Sequence, residues 1–133
     1  IDASPQGPVL EVVLVEDDAS VGDLVAAMLE ELGHRVIRVE AVSDALPILR
    51  SDRRIDLLLT DLIMPGGRNG VDLAREAVSL RQGLPVILSS GYTGDALDAA
   101  EGAPWPLLRK PYDSKTLARM IDQVCSAPGI TTA

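Results

Sequence analysis

Residues 9–18 read VLEVVLVEDD, a run of aliphatic side chains that ends in three consecutive acids. The near-continuous Val and Leu content of Val9–Val15 is typical of a β-strand that is buried on both faces, as in a parallel sheet covered by helices. Further strand-length apolar runs follow along the chain: Arg35–Val39, Ile55–Thr60 (IDLLLT), Leu84–Ser90 (LPVILSS) and Leu107–Arg109.

Stretches with helical periodicity alternate with these runs. From Val21 to Leu32 the apolar residues recur every three or four positions, and Gly33 supplies the expected helix stop. Further helices are predicted over Ser43–Arg50 (weakened by Pro47), Gly70–Leu80, Asp95–Ala100 and the stretch capped by Asp113. Strands that alternate with helices form right-handed βαβ units, so the sequence predicts an α/β fold with a parallel sheet covered on both faces.

Length and composition bound the function. A chain of 133 residues is one domain, and 20 acidic against 12 basic residues give a net charge of −8, which argues against direct nucleic-acid binding. Cys125 is the single cysteine, so an internal disulfide or a CxxC metal site is excluded. No apolar run approaches the roughly 18 residues of a membrane span, so we expect a cytoplasmic protein without membrane contact.

The chain divides into three parts by composition. Residues 1–8 (IDASPQGP) are predicted to be a linker or tail, residues 9–125 a single domain, and residues 126–133 (SAPGITTA) a C-terminal tail. No repeat and no internal boundary is evident.

Chemically active residues follow the predicted strands. Glu16, Asp17 and Asp18 follow the first strand, and Asp61 follows the third; Ser90 ends the fourth, and Lys110 follows the fifth. Open α/β sheets bind ligands at the carboxyl ends of their strands, so these side chains should converge.

A group of carboxylates is relieved most directly by a hard divalent cation, and Mg²⁺ fits because it binds one or two carboxylates and phosphoryl oxygens. With the ammonium of Lys110 and the hydroxyl of Ser90, the set describes a phosphoryl-transfer site in which Asp61 is the natural nucleophile. Simpler interpretations apply elsewhere: Asp18 is expected to be a helix N-cap, Asp56 and His34 to be surface residues, and Cys125 to be a small apolar residue on the last helix.

Four segments together resemble the response-regulator receiver domain of two-component signalling. They are VLVEDD (13–18), LLLTDLIMPG (57–66), PVILSSGY (85–92) and LLRKPY (107–112), in the order and at the separations typical of that family. The resemblance spans about residues 9–125 and implies a flavodoxin-like, doubly wound, five-stranded parallel sheet of order 2-1-3-4-5.

The resemblance also implies roles for individual residues. Asp61 is the implied phosphoacceptor; Mg²⁺ is implied to be held by Glu16, Asp17, Asp61 and the backbone carbonyl of Ile63. Ser90 is the implied switch hydroxyl, and Lys110 the implied phosphoryl contact, through a Lys–Pro bond that the family holds cis. The implied partner is a histidine kinase or histidine phosphotransfer protein, and the SSGY motif favours the receiver of a hybrid sensor kinase. The sequence does not decide whether the chain forms a homodimer.

Two features depart from the family pattern. Leu107 stands three residues before Lys110, where many members have Tyr or Phe, so the signal must travel by backbone shifts or by Tyr92 or Tyr112. The stretch between Gly91 and Trp105 is also short for the family's fourth helix.

Two other function classes fit the sequence less well. An aspartyl phosphatase of the haloacid-dehalogenase type needs a second Asp two residues after the nucleophile, where this chain has Ile63. A flavodoxin-like FMN carrier needs a hydroxyl-rich loop after the first strand, where Glu16–Asp18 would repel phosphate. The chain is therefore expected to be no turnover enzyme, acting only through its own phosphorylation and dephosphorylation.

Overall fold

The fold was analysed in a computed structural model that describes residues 9–63, 70–91 and 104–131, with side chains described as far as residue 125. Its strands are β1 (Glu11–Val15), β2 (Arg35–Val39), β3 (Leu57–Asp61), β4 (Val86–Ser90) and β5 (Leu107–Arg109). Its helices in the described ranges are α1 (Ala19–Glu31), α2 (Val42–Arg50), α3 (Gly70–Leu80) and α4 (Ser114–Thr131).

The five strands form one parallel sheet in the order β2-β1-β3-β4-β5. This confirms the predicted fold class and strand order. In the register of the sheet, Val15 lies opposite Val39 on one side and Thr60 on the other. The central strands β1, β3 and β4 therefore end at the same edge of the sheet, where the candidate residues are expected.

Two hydrophobic cores lie on the two faces of the sheet. Along β1, Val13 and Val15 pack with α2 and α3, whereas Val12 and Leu14 pack with α1 and α4. All four side chains are 3% exposed or less. Burial of successive residues on opposite faces explains why β1 is a continuous aliphatic run and not an alternating one.

Some element bounds differ from the prediction. β1, β3 and β4 each begin two residues later than the apolar runs suggested, and β3 includes Asp61. α2 continues through Pro47. α4 continues to Thr131, beyond the domain end predicted at residue 125. The helix predicted over 95–100 and the linker predicted over 1–8 lie outside the described residues.

Both predicted helix caps are present. The Asp18 side chain accepts a hydrogen bond from the Val21 amide (3.1 Å) at the start of α1. The Asp113 side chain accepts one from the Thr116 amide (2.8 Å) at the start of α4. Each carboxylate satisfies a backbone donor that has no partner within its helix.

The entry to β1 is held by side chains from two distant loops. His34 Nδ1 accepts a hydrogen bond from the Leu10 amide (3.2 Å), and Asp56 accepts one from the Glu11 amide (2.8 Å). Asp56 also pairs with Arg54 (3.0 Å). The expectation that His34 and Asp56 are merely solvated surface residues is therefore wrong, because both satisfy backbone donors that a sequence pattern does not reveal.

We predict that His34 makes the stability of the fold depend on pH. Burial lowers the pKa of His34, against the opposing charge of Asp122. The unfolded chain thus binds a proton at higher pH than the folded one, and stability is lost as pH falls below about 6.5. Denaturant unfolding between pH 8 and pH 5 should show the parent losing stability relative to His34→Asn, whose side chain does not titrate. Parallel curves for the two proteins would contradict the prediction.

The start of α3 makes a close backbone contact with the end of β3. The Gly70 amide donates to the Leu62 carbonyl (2.7 Å), and a Cβ at Gly70 would collide with the backbone carbonyl oxygen of Asp61. The helix can therefore approach the end of β3 only because residue 70 has no side chain.

We predict that Gly70→Ala destabilises the fold by about 1–3 kcal/mol, because the obstructing atoms belong to the backbone and cannot rotate away. Gly91→Ala is the control: a Cβ there would lie 3.9 Å from Lys110 Cβ, an ordinary contact, and we expect a change within about 0.5 kcal/mol. Urea unfolding of both variants measures the difference, and equal effects would refute the prediction.

Candidate functional site

Three carboxylates meet at the carboxyl edge of the sheet. Glu16 and Asp17 follow β1, and Asp61 ends the neighbouring strand β3. One oxygen from each of the three lies within 4.8 Å of the others. Glu16 and Asp61 are buried, 4% and 7% exposed, whereas Asp17 is exposed. The structure thus brings together the acids that the sequence singled out.

Lys110 places its ammonium between two of these acids. Its Nζ lies 2.7 Å from Glu16 Oε1 and 3.4 Å from Asp61 Oδ2. The Lys110 amide donates to the Ser90 carbonyl (2.8 Å), which fixes the chain leaving β5 against the end of β4. The Lys110–Pro111 peptide bond is cis, as the family resemblance implied.

Glu16 is held on both sides. Its Oε2 accepts the Asp18 amide (3.2 Å) while Oε1 takes Lys110, and its own amide donates to the Val39 carbonyl at the end of β2 (3.1 Å). Two hydrogen-bond donors offset part of the free-energy cost of burying a carboxylate. Glu16 therefore orients Lys110 as well as contributing charge.

Electrostatics at the site are dominated by burial. Burial raises the pKa of Asp61 to about 6; Lys110 opposes this shift, and the neighbouring charges of Glu16 and Asp17 add to it. Burial also acts to lower the pKa of Lys110, but its hydrogen bond to Glu16 and the charges of Asp61 and Glu16 outweigh that, so the pKa is raised. Lys110 is therefore a permanent cation in the site.

Tyr112 lies next to the same group. It is partly buried against the core formed with α1 and α4, and burial, followed by the charges of Glu16 and Asp61, raises the pKa of its phenol. Its hydroxyl stays protonated. Leu107, at the position where the family often has an aromatic residue, is partly buried against the opposite core. Tyr92 lies outside the described residues.

The remaining predicted residues border the carboxylates. Ser90 is 1% exposed and ends β4, one residue after Ser89, which lies opposite Asp61 in the sheet. Ile63 follows Asp61 by two residues and is 37% exposed. Gly70 could not be connected with the site from sequence, because no local pattern indicates that this residue lies against the Asp61 carbonyl.

The donor set fits a hard divalent cation. Three carboxylates lie near the ammonium of Lys110, and Glu16 already forms a close ion pair with it. Clustered carboxylate oxygens are the ligands that Mg²⁺ accepts while keeping waters for a further oxygen ligand. Asp17 and Asp61 are therefore the residues best suited to direct coordination, with Glu16 beside them.

In the described part of the chain, no helix is long and apolar enough to cross a membrane.

Comparison with curated proteins places the chain among signalling receivers. It is 29% identical over 118 residues to the response regulator receiver protein CpdR of Brucella abortus, covering 87% of this chain and 97% of that protein. It is 32% identical over 114 residues to the regulatory protein PgtA of Salmonella typhimurium, covering 84% of this chain but 27% of PgtA. The chain thus spans about a quarter of some relatives and nearly all of another.

Solved structures agree in fold. The receiver domain of the hybrid histidine kinase CckA superposes with a TM-score of 0.72 at 32% identity, covering 86% of this chain and 98% of that one. A response regulator receiver protein from Sinorhizobium medicae gives a TM-score of 0.80 at 24% identity, covering 90% and 96% of the two chains. The family description "Response regulator receiver domain" matches residues 12–122. The sheet order, the acids at the strand ends and this match together show that the chain belongs to the response regulator receiver domain family.

Proposed function

We propose that this receiver domain accepts a phosphoryl group on Asp61 in a Mg²⁺-dependent phosphorelay. The observation that carries the proposal is the buried Asp61 carboxylate, placed beside the Lys110 ammonium and within 4.8 Å of two further acids. The donor is a phosphohistidine on a histidine kinase or phosphotransfer protein. An Asp61 oxygen attacks phosphorus, the P–N bond breaks, and the histidine nitrogen leaves with the electron pair.

The surrounding residues serve charge neutralisation and positioning, which dominate phosphoryl transfer. Asp17, Asp61 and the carbonyl of Ile63 would hold the Mg²⁺, with Glu16 close by, and the bound ion would supply positive charge to the phosphoryl oxygens. Lys110 moves from its bridge between Glu16 and Asp61 to a phosphoryl oxygen, and the Ser90 hydroxyl donates to another.

Phosphorylation then acts as a switch. It adds about two negative charges to the edge of the sheet, and Lys110 and Ser90 shift to satisfy them. Since Leu107 cannot act as an aromatic rotamer switch, we propose that the change passes through the backbone that joins Ser90 to Lys110 and through the adjacent Tyr112.

The context of the domain is a further part of the proposal. Its similarity to the receiver domain of the hybrid histidine kinase CckA supports a role within, or downstream of, a hybrid sensor kinase. We propose a cytoplasmic location, no direct contact with nucleic acid or membrane, and no turnover of an external substrate.

We predict that the parent protein takes up one phosphoryl group from acetyl phosphate with Mg²⁺, and that Asp61→Asn takes up none, because the amide is not a nucleophile. Intact-mass spectrometry measures the product, and beryllofluoride titration followed by NMR reports the same site. Asp56→Asn is the matched control: it removes a carboxylate at the opposite end of β3 and should be phosphorylated as the parent is. Equal labelling of Asp61→Asn would refute the assignment.

We further predict that Lys110→Ala lowers the phosphorylation rate by on the order of 100-fold, because the cation beside the acceptor is lost. The same change leaves the buried Glu16 without its ammonium partner and should destabilise the fold by about 1–3 kcal/mol. Arg109→Ala removes the adjacent, exposed cation and should alter neither quantity appreciably. Rates from mass spectrometry and urea unfolding provide the test, and a Lys110→Ala variant as fast as Arg109→Ala would contradict it.

A further inference from the structure

We propose that Arg38, on the edge strand β2, is a positioning residue for Mg²⁺ binding: it holds the loop that carries Asp17. This inference rests on the proposed function, because Asp17 is taken as a metal ligand. We call residues 16–18, between β1 and α1, the acidic loop. Arg38 does not belong to the group of candidate site residues at the strand ends, and we infer its role from the contacts of its guanidinium.

The guanidinium of Arg38 fastens the first turn of α1 to β2. Its Nη1 pairs with Asp23 Oδ1, and its Nη2 donates to the Ala19 carbonyl (3.4 Å). Ala19 and Asp23 are four residues apart, so they lie on one face of the helix, one turn apart. A planar guanidinium can bind both at once, whereas a single ammonium lacks this fork geometry.

The acidic loop is consequently anchored to β2 at both of its ends. On the strand side, the Glu16 amide donates to the Val39 carbonyl (3.1 Å). On the helix side, Arg38 holds Ala19, the residue directly after the loop. Val39 and Arg38 are neighbours at the end of the same strand. Asp17, exposed and placed between the two anchors, therefore has its backbone position set by β2.

Gly22 makes room for this arrangement. It is a buried position on α1, and a Cβ there would collide with Arg38 Nη2. Glycine inside a helix costs about 1 kcal/mol relative to alanine, so its presence here is consistent with a need for space. Because the colliding atom is the end of a flexible side chain, Gly22→Ala would displace the guanidinium and leave the backbone of α1 in place.

An electrostatic role and a positioning role for Arg38 predict opposite changes in Mg²⁺ affinity when the arginine is removed. Removing a cation from the neighbourhood of a Mg²⁺ site strengthens cation binding if only charge matters. Removing an anchor of the acidic loop weakens binding, as loss of residues that orient metal ligands does by about tenfold or more. The direction of the change in Mg²⁺ affinity therefore separates the positioning role from electrostatics.

The experiment is a Mg²⁺ titration of the full 133-residue chain, followed by the NMR shifts of the Asp17 and Asp61 amides. Arg38→Ala is expected to weaken Mg²⁺ binding about tenfold. Arg35→Ala is the matched control: it removes an arginine at the other end of β2, which pairs with Glu11 at 3.7 Å, and should leave binding within about twofold of the parent. Urea unfolding at the titration temperature shows that each variant is folded.

Gly22→Ala tests the same anchor without removing the arginine. It should weaken Mg²⁺ binding in the parent and have no further effect in the Arg38→Ala background, and it keeps the test valid where Arg38→Ala folds poorly. Unchanged or tighter binding by Arg38→Ala and Gly22→Ala overturns the positioning role alone, provided that the parent binds Mg²⁺ and Asp17→Asn does not. A parent that does not bind Mg²⁺ overturns this inference and the proposed function together.

Discussion

The parallel pairing of β1 with β3 fixes where the acidic side chains of the site lie. Because Val15 lies opposite Thr60, Glu16 and Asp61 leave the sheet side by side. A slip of one residue would turn Asp61 toward the other face and Leu62 into its place. Close packing opposes that slip, because each side chain moved would have to fit the opposite core, which is lined by different residues. The packing of the two cores thus sets the geometry of the acids.

The convergence of acids carries an electrostatic cost that the fold meets locally. Burial and like charges raise the pKa of Asp61, and Lys110 is the cation that opposes them among the described residues around it. Lys110 lies closer to Glu16 than to Asp61, so its position is fixed by a residue other than the proposed acceptor. Such an arrangement leaves the charge of the Asp61 carboxylate only partly compensated.

The edges of the sheet contribute as much as its centre. Lys110 directly follows β5, and its amide is bonded to Ser90 at the end of β4, whereas β2 contacts the acidic loop and the start of α1 through Val39 and Arg38. The two outer strands therefore restrain the groups that the central strands present. Each edge strand is thus connected to the site through one or two hydrogen bonds.

The alternation of strands and helices, the caps at Asp18 and Asp113, and the acids and lysine at the strand ends could be predicted from sequence, because periodicity and capping depend on residues close together in the chain. The fold class followed from that pattern, and the strand order from the family resemblance. Three contacts required the folded structure: the ion pair of Lys110 with Glu16, 94 residues away, the bonds of His34 and Asp56 at the entry to β1, and the position of Arg38 over Gly22. These contacts join residues far apart in the chain, and their distances are set by strand order and helix packing, which local residue preferences do not specify.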